Sequence, residues 1–122
     1  MPYKKLIDGF QVFQKDYFES EKSEHYKGLV ENGQKPETLV IACSDSRIDP
    51  AILTHSDPGE FFAIRNVAAL VPPYNNGGKL RGTSSAIEYA VRYLDVTHIV
   101  ILGHAQCGGI HALATGEYQA TA

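Results

Sequence analysis

Thr38-Leu39-Val40-Ile41-Ala42-Cys43-Ser44-Asp45-Ser46-Arg47 is the stretch on which the fold turns. Thr38 to Ala42 is a short apolar run after Pro36. A run this short, without polar alternation, reads as a strand buried on both faces, as in a parallel sheet. Cys43 then stands at the strand's carboxyl end, and Ser44 to Arg47 leave it as a polar segment.

Further along, Glu60 to Val67 is a second strand candidate, introduced by Pro58-Gly59. Thr97 to Gly103 is a third apolar strand, with His104 at its carboxyl end. Ile48 to Leu53 reads as a short helix, and Val71 to Gly78 as a loop rich in Pro, Asn and Gly. Ser85-Ala86-Ile87-Glu88 has capping-box spacing and opens a helix through Leu94. Ile87, Ala90, Val91 and Leu94 share one face of it. A last helix starts near Cys107 and ends by Gly116. Upstream, residues 3–31 read as helical, with Leu6, Phe10, Phe13, Tyr17 and Phe18 at helical spacing and stops at Gly28 and Asn32-Gly33. The expected fold is α/β: a largely parallel β-sheet flanked by helices, with an N-terminal helical arm. One domain is expected over 1–122, divided into an arm at 1–35 and an α/β core at 36–122.

The 122 residues are 43% hydrophobic and 20% charged, with a formal net charge of −3. That is a globular composition, and it argues against a nucleic-acid binder, which needs a basic face. No apolar run approaches the ~20 residues of a membrane span. The segment from Met1 to Asp8 lacks an apolar signal core, so a cytoplasmic location with reduced cysteines is expected.

The two cysteines, Cys43 and Cys107, both lie in Gly-, His- and Asp-rich surroundings. Strands of a parallel sheet bring their carboxyl ends to one edge, where open α/β folds bind ligands. Cys43 and His104 are thereby placed at the same edge. His104-x-x-Cys107 lets two ligands come from one turn and a helix start, a position that favours a thiolate. Gly108 and Gly109 let the backbone approach closely. Two thiolates and one imidazole make a three-ligand zinc site with an open fourth position. Zinc there would yield hydroxide at neutral pH. Asp45 could accept a hydrogen bond from it, and Arg47 could hold Asp45 off the metal. A closed site with Asp45 as fourth ligand and a disulfide are the alternatives. His25, His55, His98 and His111 lack a second ligand at useful spacing and read as surface or structural residues.

CSDSR at 43–47, PGE at 58–60, RNVA at 65–68, IEYAV at 87–91 and GHAQCGG at 103–109 follow one another in order. In these motifs the chain resembles a β-class carbonic anhydrase. The resemblance implies that Cys43, His104 and Cys107 bind one Zn2+ and that Asp45 and Arg47 form a catalytic dyad. It implies reversible hydration of CO2 to bicarbonate and a proton, in a homodimer or larger homo-oligomer with the site at a subunit interface. By position, Gln34 contacts the substrate oxygen, Phe62, Val67 and Tyr89 wall the pocket, and the Gly108 backbone lines it. One subgroup carries a Trp three residues before the first zinc Cys, where this chain has Val40. The plant-like, open form is therefore implied, with water on the metal. Tyr93 stands where plant members place a proton-shuttling His. Family members also continue past the last helix, so the C-terminal part of their fold is expected to be missing. Carbonyl sulfide or carbon disulfide hydrolysis on the same scaffold, a metal-binding form without activity, and a zinc-free thiol pair are the competing functions.

Overall fold

The computed structural model describes residues 1–75 and 81–117, in two units, Met1–Gln34 and Lys35–Ala122. In the first unit, α1 (Lys4–Phe18) and α2 (Ser23–Asn32) replace the helical stretch expected over 3–31. Residues 19–22 interrupt it. The Ser20 hydroxyl turns back onto the Asp16 carbonyl and accepts the Lys22 N–H at 3.2 Å. Short hydroxyl side chains compete in this way with the helix ladder. The stop at Asn32-Gly33 holds, because Gly33 leaves α2 at φ 77°, whereas Gly28, the other expected stop, lies within α2. Phe13 sits at the centre of an aromatic cluster, with Tyr17, Phe18 and Tyr26 at 4.8, 5.9 and 5.8 Å between ring centres.

The second unit is a three-stranded parallel sheet, ordered β2-β1-β3, with β1 (Thr38–Cys43), β2 (Phe61–Asn66) and β3 (His98–Leu102). It alternates with α3 (Pro50–Thr54), α4 (Gly82–Arg92) and α5 (Gly108–Thr115). β1 is central, and every residue after Thr38 is buried, as its unbroken apolar run requires. The core gathers Leu39, Ile41, Ile64, Ala69 and Ala90, with Phe62, Ala86, Ile87 and Val96 packed around them. Leu39 and Ile41, the largest fully buried side chains, each contribute about 1.5–3 kcal/mol by burial.

Several sequence boundaries move. The Asp49 carboxylate accepts the N–H groups of Ala51 and Ile52 at 2.9 and 3.3 Å, so the helix expected from Ile48 begins at Pro50. α4 begins at Gly82, one turn before Ser85, and its cap, Arg81, makes no side-chain cap bond. The capping-box spacing at Ser85 therefore falls inside the helix. On the expected apolar face Ala90 and Leu94 are buried, but Val91 is exposed. β3 is the larger surprise: Ile99, Val100 and Ile101 are 51, 45 and 61% exposed. Among the described residues it is an edge strand bonded to β1 alone, so an apolar sequence of the buried type lies open. Residues 71–75 of the expected loop lack regular structure, and its residues 76–78 lie outside the described residues.

Candidate metal centre and active site

Cys43 is the last residue of β1 and pairs in register with Asn66 on β2. His104 follows β3 by two residues, and Cys107 is the N-cap of α5. The parallel sheet thus delivers three candidate ligands, two thiols and one imidazole, to one edge. Gln106 takes φ 57°, a left-handed turn between His104 and Cys107. The Cys43 and Cys107 sulfurs lie 3.9 Å apart, both thiols are free, and all three donor atoms fall within 4.8 Å of one another. The disulfide alternative is not the state found.

This donor set fits zinc. Tetrahedral zinc with Zn–S bonds of about 2.3 Å separates its sulfurs by about 3.8 Å. His104 Nδ1 lies 2.9 Å from the Ala105 carbonyl, to which it donates, leaving Nε2 for a ligand. That Nε2 is buried without a hydrogen-bond partner. Buried polar atoms are normally paired, and a cation between the sulfurs would pair this one.

The Cys43 thiol is pulled down to about 7, chiefly by the His104 side chain, then by the Asp45 and Ala68 backbone N–H groups. The Cys43 sulfur in turn raises His104 above its ordinary value. Both shifts favour a thiolate–imidazolium pair, whose remaining proton, on His104, a divalent cation would displace.

Asp45 is locked by Arg47. Its Oδ1 accepts the Arg47 backbone N–H at 2.8 Å and Nε at 3.0 Å, and its Oδ2 accepts Nη2 at 2.7 Å. Arg47 Nη2 also reaches the Gln106 carbonyl at 3.0 Å, tying the two loops together. The Arg47 guanidinium holds the Asp45 carboxyl well below the usual carboxylate range. Asp45 Oδ2 lies 3.8 Å from His104 Nε2, beside the donors but outside the three-residue ligand group.

The expected pocket residues are distributed differently. Gly108 lines a cleft of about 870 Å3, together with Ala68, Leu70, Ile101, His104 and Cys107. Phe62 and Tyr89 pack against each other at 5.7 Å, with Tyr93 stacked beyond Tyr89. Val67 begins the single turn Val67–Ala69 and is 67% exposed. Gln34 is the last residue of the N-terminal unit.

Sequence reasoning assigned no role to four groups that the structure places around the donors. Arg65 donates to three carbonyls of the Cys43 loop: Nε to Cys43 at 2.9 Å, Nη2 to Asp45 at 2.9 Å and to Ile48 at 2.7 Å. Asn66 bonds the Leu70 backbone, and the Ala68 N–H donates to Cys43 Sγ at 3.3 Å. The Gln106 carbonyl receives Arg47. The RNVA motif marked Arg65, Asn66 and Ala68 only as part of a resemblance. Gly109 matters as expected, since a Cβ there would lie 2.6 Å from Val67 Cγ1 and 2.9 Å from Ala68 Cβ. At Gly108 a Cβ would meet nothing.

Comparison with known proteins agrees with this arrangement. The family model described as carbonic anhydrase matches residues 38–122. The solved structure of the β-carbonic anhydrase CcaA superimposes with a TM-score of 0.82 at 39% identity, over 92% of this chain and 48% of that one. The chain belongs to the β-carbonic anhydrase family. A carbonic anhydrase from Pseudomonas aeruginosa is 46% identical over 110 residues, 90% of this chain and 48% of the relative. A tetrameric β-carbonic anhydrase from Sordaria macrospora aligns with a TM-score of 0.75 at 34% identity, over 92% of this chain and 54% of that one. The chain spans about half the length of the carbonic anhydrases it matches.

Proposed function

We propose that the protein hydrates CO2 reversibly to bicarbonate and a proton, with zinc held by Cys43, His104 and Cys107. The observation that carries this reading is the Asp45–Arg47 pair, locked 3.8 Å from the unpartnered His104 nitrogen. Metal-binding alone would not call for an ionised carboxylate fixed beside an open position. Zinc, when bound with three protein ligands, lowers the pKa of a coordinated water to about 7.

The residues of this chain then have separate tasks. Asp45 accepts a hydrogen bond next to the metal position and orients the group that donates it. Arg47 keeps the carboxylate ionised and off the metal, which corresponds to the open form implied by Val40. The Gly108 backbone, with Ala68, Leu70 and Ile101, lines an apolar cleft beside the donors that suits CO2. The released proton passes to buffer or to another group, since Tyr93 stands where plant members place a proton-shuttling His.

One family domain, with residues 1–35 as arm and 36–122 as core, belongs to the same reading. So does a homodimer or larger homo-oligomer, supported by the tetrameric relative and the open apolar face of β3. A cytoplasmic setting suits two thiols that must stay reduced. No helix among the described residues is long and apolar enough to cross a membrane.

The test is a pair of variants. Asp45→Asn should keep zinc and lose about 100-fold or more in CO2 hydration, the scale of a proton-handling group. Cys107→Ser should lose zinc itself. Full activity in Asp45→Asn would remove the dyad from the mechanism.

A further inference from the structure

Two consecutive alanines beside the donors, Ala68 at φ 71° and Ala69 at φ 52°, sit in the left-handed region. L-residues with a Cβ resist that conformation, and such outliers persist only where surrounding contacts impose them. The contacts here come from Asn66. Its Oδ1 accepts the Leu70 N–H at 2.7 Å, and its Nδ2 donates to the Leu70 carbonyl at 2.8 Å. Nδ2 also reaches Thr83 Oγ1 at 3.1 Å, which ties the same amide to α4. One side chain therefore closes the turn from both directions.

The turn so closed does one chemical thing. It aims the Ala68 N–H at Cys43 Sγ, 3.3 Å away. The Asn66 backbone is anchored to the same loop, because its carbonyl accepts the Ser44 N–H at 2.8 Å, directly after Cys43. From the other side Gly109 lets α5 press onto Val67 and Ala68, where any Cβ would collide.

We propose that Asn66 is a positioning residue for the Cys43 thiolate: its side chain holds a strained turn so that the Ala68 N–H donates to the sulfur. A hydrogen bond to a ligand sulfur draws charge from it and fixes the direction of its lone pairs. Both effects set how strongly the sulfur binds a metal. The proposal rests on Cys43 being a metal ligand.

The first measurement uses the unaltered chain, nitrogen-labelled and loaded with NMR-active cadmium in place of zinc. The Ala68 amide proton should show coupling to the metal through the N–H···S bond. Next, zinc affinity is read by chelator competition, and the sulfur-to-metal charge-transfer band is read with cobalt. Asn66→Ala should weaken zinc by about 10- to 100-fold, the usual cost of losing such a partner, and shift the band. Adding Ala68→Gly, which accepts a left-handed φ unaided, should recover much of both. A merely structural clamp would change the melting temperature and leave the band in place. Absent coupling at Ala68, or a folded Asn66→Ala with unaltered affinity and band, overturns the proposal alone. A parent chain that binds neither zinc nor cadmium sinks the metal reading itself, and this proposal with it.

Discussion

The Arg47 guanidinium grips the Asp45 carboxylate at two points, Nε to Oδ1 at 3.0 Å and Nη2 to Oδ2 at 2.7 Å. A bidentate pair of this kind fixes direction as well as charge. Removing Arg47 frees Asp45 to rotate toward the metal position and lets its pKa rise. Arg47→Ala is expected to keep zinc while CO2 hydration falls about 10- to 100-fold. Zinc analysis with stopped-flow assay checks this, and an unaltered rate would show that the grip is dispensable.

Metal affinity should depend on pH in a stated direction. Cys43 is lowered to about 7, so its thiolate is available above that value and protonated below it. His104 is raised, so it holds a competing proton to higher pH than an ordinary histidine. Zinc binding must expel both protons. Chelator competition at about pH 6 and about pH 8 should show tighter binding at the higher pH. In the metal-free chain the lowered Cys43 favours folding above its ordinary value of 9.0, an advantage lost as pH falls through about 7. The raised His104 acts oppositely, favouring folding below 6.5 and losing that as pH rises through its own higher value. Equal zinc affinity at the two pH values would contradict the assignment.

Gly109→Ala tests the packing under the site. Its Cβ would lie 2.6 Å from Val67 Cγ1, 2.9 Å from Ala68 Cβ and 3.2 Å from the Ala68 nitrogen. Overpacking against backbone is expected to cost about 1–3 kcal/mol, read by urea denaturation. Gly108→Ala meets nothing within reach and should leave packing unchanged. Equal stability of the two variants would mean that α5 does not need its close approach.

β3 carries a prediction about association. Ile99, 51% exposed on an edge strand, should promote self-association. Ile99→Lys should weaken it about tenfold or more, equivalent to roughly 1.4 kcal/mol. Sedimentation velocity over a concentration series reads this, and an unchanged distribution would place the contact elsewhere.

Much of the site was legible because its signals are local. An unbroken apolar run ending in Cys43 specifies a central strand and where its carboxyl end lies. His104-x-x-Cys107 before a glycine pair specifies a helix start, which the structure places at Gly108. What stayed hidden depends on partners distant in sequence. Nothing in Val67-Ala68-Ala69 announces left-handed backbone, since alanine avoids it unless Asn66 and Leu70 impose it. Arg65 serves Cys43, Asp45 and Ile48 from a neighbouring strand, a role no spacing encodes. The break between α1 and α2 was hidden for a different reason. The aromatic stripe ends at Phe18 with no Gly or Pro to mark a stop, while one hydroxyl, Ser20, redirects the backbone. The exposure of β3 reflects its place at the sheet edge, whereas its composition alone resembles that of β1.

The central claim is that Cys43, His104 and Cys107 hold a zinc ion at which CO2 is hydrated. Stopped-flow CO2 hydration by the purified chain, divided by its measured zinc content, tests it most directly. The account predicts turnover that scales with bound zinc and disappears on chelation. Stoichiometric zinc with no hydration above the buffer rate would contradict it.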